Sequence, residues 1–254
     1  VFASDDGDTI YINSVSDLLS LAESCAYDQW SVGKTVILQK DLSLEGMLWE
    51  PIPSFSGQFK GNGHTISDLT ITGQYSPAGL FGIVEEQGSI ESLSVRGIVS
   101  VSDTKDTTTG GIVGINHGTL INCQFTGVVT GDSEVGGIVG RNESEGTIDH
   151  STARAIVTGK SSTGGIAGYN LGAITGCTNV GSINTEYQEA SLDTDGFTAK
   201  MVDYINNKMA AADDDTTNSV TNVATDTGGI AGRSSGMILT SVNTGTVGYE
   251  HIGY

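Results

Sequence analysis

One five-residue phrase returns five times along the chain. It reads Gly-Gly-Ile-Val-Gly at 110–114 and 136–140 and Gly-Gly-Ile-Ala-Gly at 164–168 and 228–232, with a looser copy, Ala-Gly-Leu-Phe-Gly, at 78–82. From Gly79 through Gly111, Gly137 and Gly165 to Gly229 the steps are 32, 26, 28 and 64 residues. A period of roughly 20–50 residues marks a solenoid, in which each repeat is one supersecondary unit that buries its apolar face on its neighbour.

Aligning the copies produces columns. The first is Leu80, Ile112, Ile138, Ile166 and Ile230; the second is Ile90, Leu120, Ile148, Ile174 and Ile238. A third holds Leu93, Cys123, Ser151, Cys177 and Ser241, and a fourth Gly97, Gly127, Ala155, Gly181 and Gly245. The fifth is Val99, Val129, Val157, Ile183 and Val247. The apolar stretches alternate and are too short for helices, so each unit reads as about three short strands between Gly- and Asn-rich corners. Strands stacked in parallel place each inward side chain on its equivalent one coil away. Glycines are expected where the backbone bends through positive φ or approaches a neighbour closely. The expected fold is all-β: a right-handed parallel β-helix of six or seven coils.

Two segments depart from the repeat. Ser14 to about Ala26 has helical spacing of Val15, Leu18, Leu19, Ala22 and Cys25, and a Ser14/Asp17 start like a capping box. It is expected to be a helical cap on the N-terminal coil. The 64-residue step holds one repeat plus an insertion at 185–224, where Phe197, Met201, Val202, Ile205 and Met209 predict a helix at Phe197–Ala212. Residues 11–254 are read as one domain. Residues 1–10 form an acidic lead-in, and Val1-Phe2-Ala3-Ser4 resembles the end of a secretory signal. Tyr249–Tyr254 offers no polar cap after the last repeat, so either further repeats in a longer parent chain or end-to-end contacts through the last coil are expected.

Thirty acidic residues against eleven basic ones give a net charge of −19. That balance argues against nucleic acid and anionic membranes, which need a basic surface. No apolar run approaches the roughly 20 residues of a membrane-spanning helix. The cysteines form no disulfide framework: Cys123 and Cys177 are two coils apart, roughly 10 Å at the usual strand spacing, and Cys25 lies on the predicted helix.

The stretch Phe59-Lys60-Gly61-Asn62-Gly63-His64-Thr65-Ile66, then Gly79-Leu80-Phe81-Gly82, then serial Gly-Gly-Ile-Val/Ala-Gly-x-Asn, resembles the GLUG-motif family of bacterial cell-surface proteins. The resemblance runs from about Tyr11 over most of the chain. Related repeats occur in secreted bacterial proteins and upstream of the protease domain of immunoglobulin-A-cleaving metallopeptidases. It implies a surface or secreted, adhesin-like β-helix module and hands over no catalytic residue; the chain has no His-Glu-x-x-His.

Many β-helices cleave polysaccharides, which requires clustered carboxylates on adjacent coils. The candidate ridge is Asp103, Asp106, Asp132, Glu134 and Asp226, interrupted by Lys160. A second corner carries Glu85, Glu86, Glu143 and Glu145. Arg96 and Arg154 share one basic column. Tyr75, Tyr169 and Tyr187 are too few and scattered to outline a sugar groove. His64, His117, His150 and His251 share no column. Asp193-x-Asp195-Gly196 resembles the start of a calcium loop without its closing Glu, which makes Asp193 and Asp195 the Ca²⁺ candidates. Asn116, Asn142 and Asn170 recur after the phrase and are expected to stack or to hold a left-handed corner.

The reading that follows is a non-catalytic extracellular or surface module for adhesion or for spacing other domains, with no catalytic residue and no cofactor. Its partners would be a host or microbial glycan or protein. The alternative is a carbohydrate-active enzyme, a lyase or glycoside hydrolase of the β-helix type.

Overall fold

The computed structural model describes residues 8–27, 29–101, 106–185 and 226–248. It is a parallel β-solenoid whose strands form four sheets of eight, four, six and nine strands. Every strand pair described is parallel, so neighbours in a sheet belong to successive coils. A complete central coil runs Thr119–Ile121, Gln124–Thr130, Glu134–Gly136 and Val139–Asn142. That is four strands, not three. The extra corner falls inside the phrase, where a short strand ends at Gly136 and the next starts at Val139.

The columns are ladders. In the eight-stranded sheet, Ile10, Val36, Phe59, Ile90, Leu120, Ile148, Ile174 and Ile238 pair in series. In the nine-stranded sheet, Ile71, Val99, Val129, Val157, Ile183 and Val247 do the same. Leu80, Ile112, Ile138 and Ile166 are fully buried, whereas Ile230, in the last phrase, is half-buried. Branched side chains suit these positions because the pleat points alternate residues inward and stacks them on their like. The core is one continuous cluster from Ile10 to Ile183. Near its N-terminal end the rings of Phe55, Phe59 and Phe81 pack with centroids 5.4–6.3 Å apart.

The phrase glycines are required by close approach, not by φ. A Cβ on Gly136 would collide with the Val139 carbonyl oxygen, and one on Gly164 with the Ala167 carbonyl oxygen. Neither appears among the positive-φ positions. The left-handed corner lies elsewhere, at Asn62, Ser92, Asn122, His150, Gly176 and Thr240, with φ between 46° and 62°. Asn116, Asn142 and Asn170 end strands of the six-stranded sheet instead, so of the two roles expected for them only stacking is realised.

The N-terminal helix spans Val15–Ser24, with Ser14 as N-cap accepting the Asp17 N–H at 3.2 Å and Asp17 accepting the Asn13 N–H at 2.9 Å. It buries Leu18, Leu21 and Cys25 against strands Thr9–Ile12 and Ile52–Phe55. Leu19 is exposed, which corrects the expected face: the buried stripe runs through Leu21.

Gly164 pairs with Gly228, so phrases 64 residues apart occupy adjacent coils. The edges of the insertion meet: Asn184 Nδ2 donates to Thr227 Oγ1 at 2.9 Å. The predicted helix Phe197–Ala212 lies outside the described residues. Because the ends already touch, replacing residues 187–222 with a short Gly/Ser linker is expected to leave a cooperative thermal melt, since long insertions add little closure cost. Loss of that transition would show that the insertion is part of the fold.

Candidate functional site

Function must reside on the outer faces and corners, because the interior is filled with apolar side chains and two kinds of polar ladder. The first ladder is asparagine. Asn116 Nδ2 donates to Asn142 Oδ1 at 2.8 Å, Asn142 Nδ2 to Asn170 Oδ1 at 2.8 Å, and Asn170 Nδ2 to Ser234 Oγ at 3.1 Å. Each second amide hydrogen goes to a backbone carbonyl: Gly118 at 3.1 Å, Gly146 at 3.1 Å and Gly172 at 3.3 Å. All three asparagines are fully buried and satisfied, so they have no donor left for a ligand. A second such pair, Asn179 to Asn243 at 2.7 Å, was not singled out from sequence. The signal was present: both precede the fourth-column glycine by two residues.

The Cys/Ser column is the other ladder. Ser151 Oγ accepts the Cys123 N–H, and Ser241 Oγ accepts the Cys177 N–H, each at 3.1 Å. The three cysteines are free and buried. Burial pushes the Cys25 and Cys123 thiols up to about 12 and Cys177 to about 11. Reactivity follows the thiolate, so native protein at about pH 8 is expected to show no rapid reaction with a disulfide reagent. All three should react in denaturant; a fast thiol in the folded state would contradict this packing.

The corner carboxylates are brought near one another but are individually engaged. Asp132 pairs with Lys160 at 2.8 Å, so the lysine that interrupts the ridge neutralises part of it. Glu134 accepts from Thr108 at 3.1 Å and pairs with Arg141 at 3.1 Å. Burial pushes the Glu134 carboxyl up, against the opposing effects of Arg141 and the Thr108 hydroxyl. Arg141 Nε lies 2.9 Å from Glu143 but is misaligned for a hydrogen bond, so that contact is coulombic. Asp226 faces Arg233 at 3.8 Å, and Asp106 accepts from Ser133 at 3.5 Å. Asp103 lies outside the described residues. Among the other acids, Glu85 accepts from Ser54 at 2.7 Å and Glu145 from Ser144 at 2.7 Å.

Tyr169 stands between two guanidinium groups, Arg141 at 5.2 Å and Arg233 at 5.9 Å, in one outward column. Cation–π contacts on both sides occupy its ring. Tyr75 is raised by burial and by Glu50, and Tyr187 is outside the described residues. His64 meets Asp41 at 3.1 Å and His150 meets Asp149 at 2.9 Å. Among the described residues no three His, Cys, Asp or Glu side chains come together to hold a metal. Asp193, Asp195 and His251 lie outside them. An open depression of about 460 Å³ lies beside Gln29, Val32, Ser54, Ser56 and the Glu85–Gln87 corner.

Arg96 and Arg154 do share a column, one coil on each side of Thr126. They stand on the long-stranded face formed by Ser94–Val101, Gln124–Thr130, Thr152–Thr158, Thr178–Asn179 and Ser182–Ile183. Both are exposed, while Thr126 and Val128 between their rows are buried by their neighbours although they point outward.

These features define the class: a parallel β-solenoid of glycine-phrase repeats with a filled core. One repeat matches a family model described as the GLUG motif, over residues 131–158, the segment from Gly131 through the whole strand Thr152–Thr158. The chain is 31% identical over 155 residues to halomucin of Haloquadratum walsbyi, across 56% of this chain and 2% of that protein. It is 29% identical over 137 residues to a protein of Evansella cellulosilytica described as "Putative Gly-rich membrane protein", across 39% of this chain and 16% of that one. The chain thus spans a small part of either relative. A solved structure from Bacteroides ovatus, described as that of "a putative immunoglobulin A1 protease", aligns with a TM-score of 0.47 at 16% identity, covering 70% of this chain and 67% of that chain. No helix among the described residues is long and apolar enough to cross a membrane.

Proposed function

We propose that this chain is a non-catalytic, secreted or surface-attached solenoid module that presents its flank to a glycan or protein partner and holds neighbouring domains apart. The observation that carries this reading is the partnering of the corner carboxylates. Asp132 is held by Lys160 and Glu134 by Arg141 and Thr108, so the acids best placed for hydrolysis already serve the contacts between coils. A general acid or base must instead reach a substrate proton. The repeating scaffold supports the spacing role, because each coil contacts its neighbours and length grows by one strand spacing per repeat. Similarity to halomucin and to a Gly-rich membrane protein supports the surface setting.

The test is a glycan array on the purified chain with an assay for unsaturated uronates and new reducing ends run beside it. Retention of a glycan without cleavage is the expected result. Product formation that disappears in Asp132→Asn or Glu134→Gln would overturn the reading in favour of a carbohydrate-active enzyme.

A further inference from the structure

The charge of this protein is unevenly placed. Its 30 acidic residues outnumber 11 basic ones, yet the five strands of the long face from Ser94 to Ile183 contain no carboxylate at all. The charges in those strands are Arg96 and Arg154. Acids return where the chain turns: Glu91 and Asp149 before the face, Asp106 and Asp132 after it. Two carboxyls lie near Arg96 at the N-terminal edge: Asp68, in the bulge of strand Thr65–Gly73 that faces it, which accepts from Ser43 and Ser67 at 2.7 and 2.8 Å, and Asp41. The Thr65 backbone N–H and then His64 hold Asp41 below the usual carboxylate range, with the Arg96 charge a smaller contribution. Among the described residues neither arginine forms an ion pair, in contrast to Arg141, Arg233 and Lys160.

The rest of the face is neutral and capable of hydrogen bonding. Gln124 and Thr152 lie half-buried and paired in the row two residues before that of the arginines, and Thr130 and Thr158 continue the same strands. Small and branched side chains at Ile98, Val128 and Ile156 keep the surface low. The backbones that carry the two arginines are separated by two strand spacings, roughly 10 Å. Hydrated acids elsewhere would repel an anionic polymer; among the described residues the strand between the two arginines, Gln124–Thr130, carries none, and a guanidinium stands on either side of a shallow polar strip.

We infer that this face binds a polyanionic polysaccharide laid across the coils, with Arg96 and Arg154 gripping successive carboxylate or sulfate groups and Gln124 and Thr152, in the row beside them, meeting sugar hydroxyls. This inference rests on the proposed glycan-presenting role and names the ligand class. Guanidinium is the suitable cation, because its planar donors match both anions bidentately. The surrounding acidity would confine a polyanion to this strip, which gives register as well as affinity.

The test uses the whole chain against polygalacturonate, dextran sulfate, unsubstituted dextran and single-stranded DNA, read by calorimetry or retention on coated beads. Binding to one or both anionic glycans is expected, and which one reports the anion, carboxylate or sulfate. Arg96→Gln and Arg154→Gln should each weaken it about tenfold, and the pair by more than either alone. Arg154→Lys should restore part of the loss at position 154, since it keeps charge without the fork. Raising salt from about 0.05 to about 0.5 M should release the glycan. Both side chains are exposed, so the variants should melt like the parent. Unchanged affinity in the double variant would overturn the inference, as would absence of binding to either anionic glycan. Retention of dextran that ignores both arginines would sink it while leaving the proposed function standing. Single-stranded DNA held as tightly as glycan would assign the strip to polyanions in general and refute the polysaccharide assignment.

Discussion

Replacing Ile138 with aspartate is expected to leave no cooperatively folded protein. Ile138 is fully buried, in the middle of the Leu80–Ile112–Ile138–Ile166 column. Its backbone is committed on both sides: Ile112 N–H donates to its carbonyl at 3.0 Å, and its own N–H donates to Ile166 at 3.1 Å. Removing the side chain alone costs about 2–5 kcal/mol by lost burial and cavity formation. The carboxylate adds a desolvation penalty of several kcal/mol with no cation in the core to offset it. Together these are comparable to the whole stability of a typical domain, about 5–15 kcal/mol. Ile138→Val, which keeps the branched shape, should cost only about 0.5–1.5 kcal/mol. Circular dichroism melts distinguish the two. A variant Ile138→Asp with a sharp transition within a few degrees of the parent would mean that the column is not the dry interior described.

Asn142→Asp is expected to be nearly as damaging while exchanging a single heavy atom, the amide nitrogen for oxygen. Asn142 sits between Asn116, which donates to its Oδ1, and Asn170, whose Oδ1 accepts from its Nδ2. Aspartate can still accept from Asn116, but it opposes oxygen to oxygen at both Asn170 and the Gly146 carbonyl. Leaving such buried groups unpaired costs about 1–3 kcal/mol each, and more when one is charged. The direction with pH follows. Burial should raise the folded-state pKa of the new carboxyl above its unfolded value of about 3.9. The folded variant then binds the proton more tightly than the unfolded chain. Its deficit is full above the folded pKa and shrinks as pH falls through it towards the unfolded value. Asn243→Asp makes the equivalent change at an exposed ladder end and should cost less. Equal losses at the two sites, or no recovery of the Asn142 variant in acid, would remove the ladder from the account of stability.

Much of this architecture was legible because a solenoid converts sequence period directly into contact. Once the phrase is aligned, Leu120 must meet Ile148, and Val129 must meet Val157, since parallel strands repeat their register without slippage. The Ser14 cap was legible for a local reason: its hydroxyl meets an amide three residues on. The surface site was only partly so. The Arg96–Arg154 column follows from alignment alone, as does the alternation that turns both outward.

What the tertiary structure decided are the features that depend on geometry across coils. Periodicity could not show whether a recurring asparagine turns outward to a ligand, holds a left-handed bend or stacks inward. The buried amide-to-amide contacts chose stacking and sent the bend to Asn122 and His150. Nor could it tell whether Asp132 and Glu134 were free, because Lys160 reaches from the corner of the next coil and Arg141 from the following strand, through side chains whose directions no period encodes. The phrase glycines follow the same division. Their recurrence is a property of the sequence, but the requirement for them is the carbonyl oxygen of Val139 or Ala167 standing where a Cβ would be. Sequence by itself determined which residues stack, because that is fixed by counting along the chain. Which polar groups are used up inside the stack, and which remain for a partner, was decided only by packing in three dimensions.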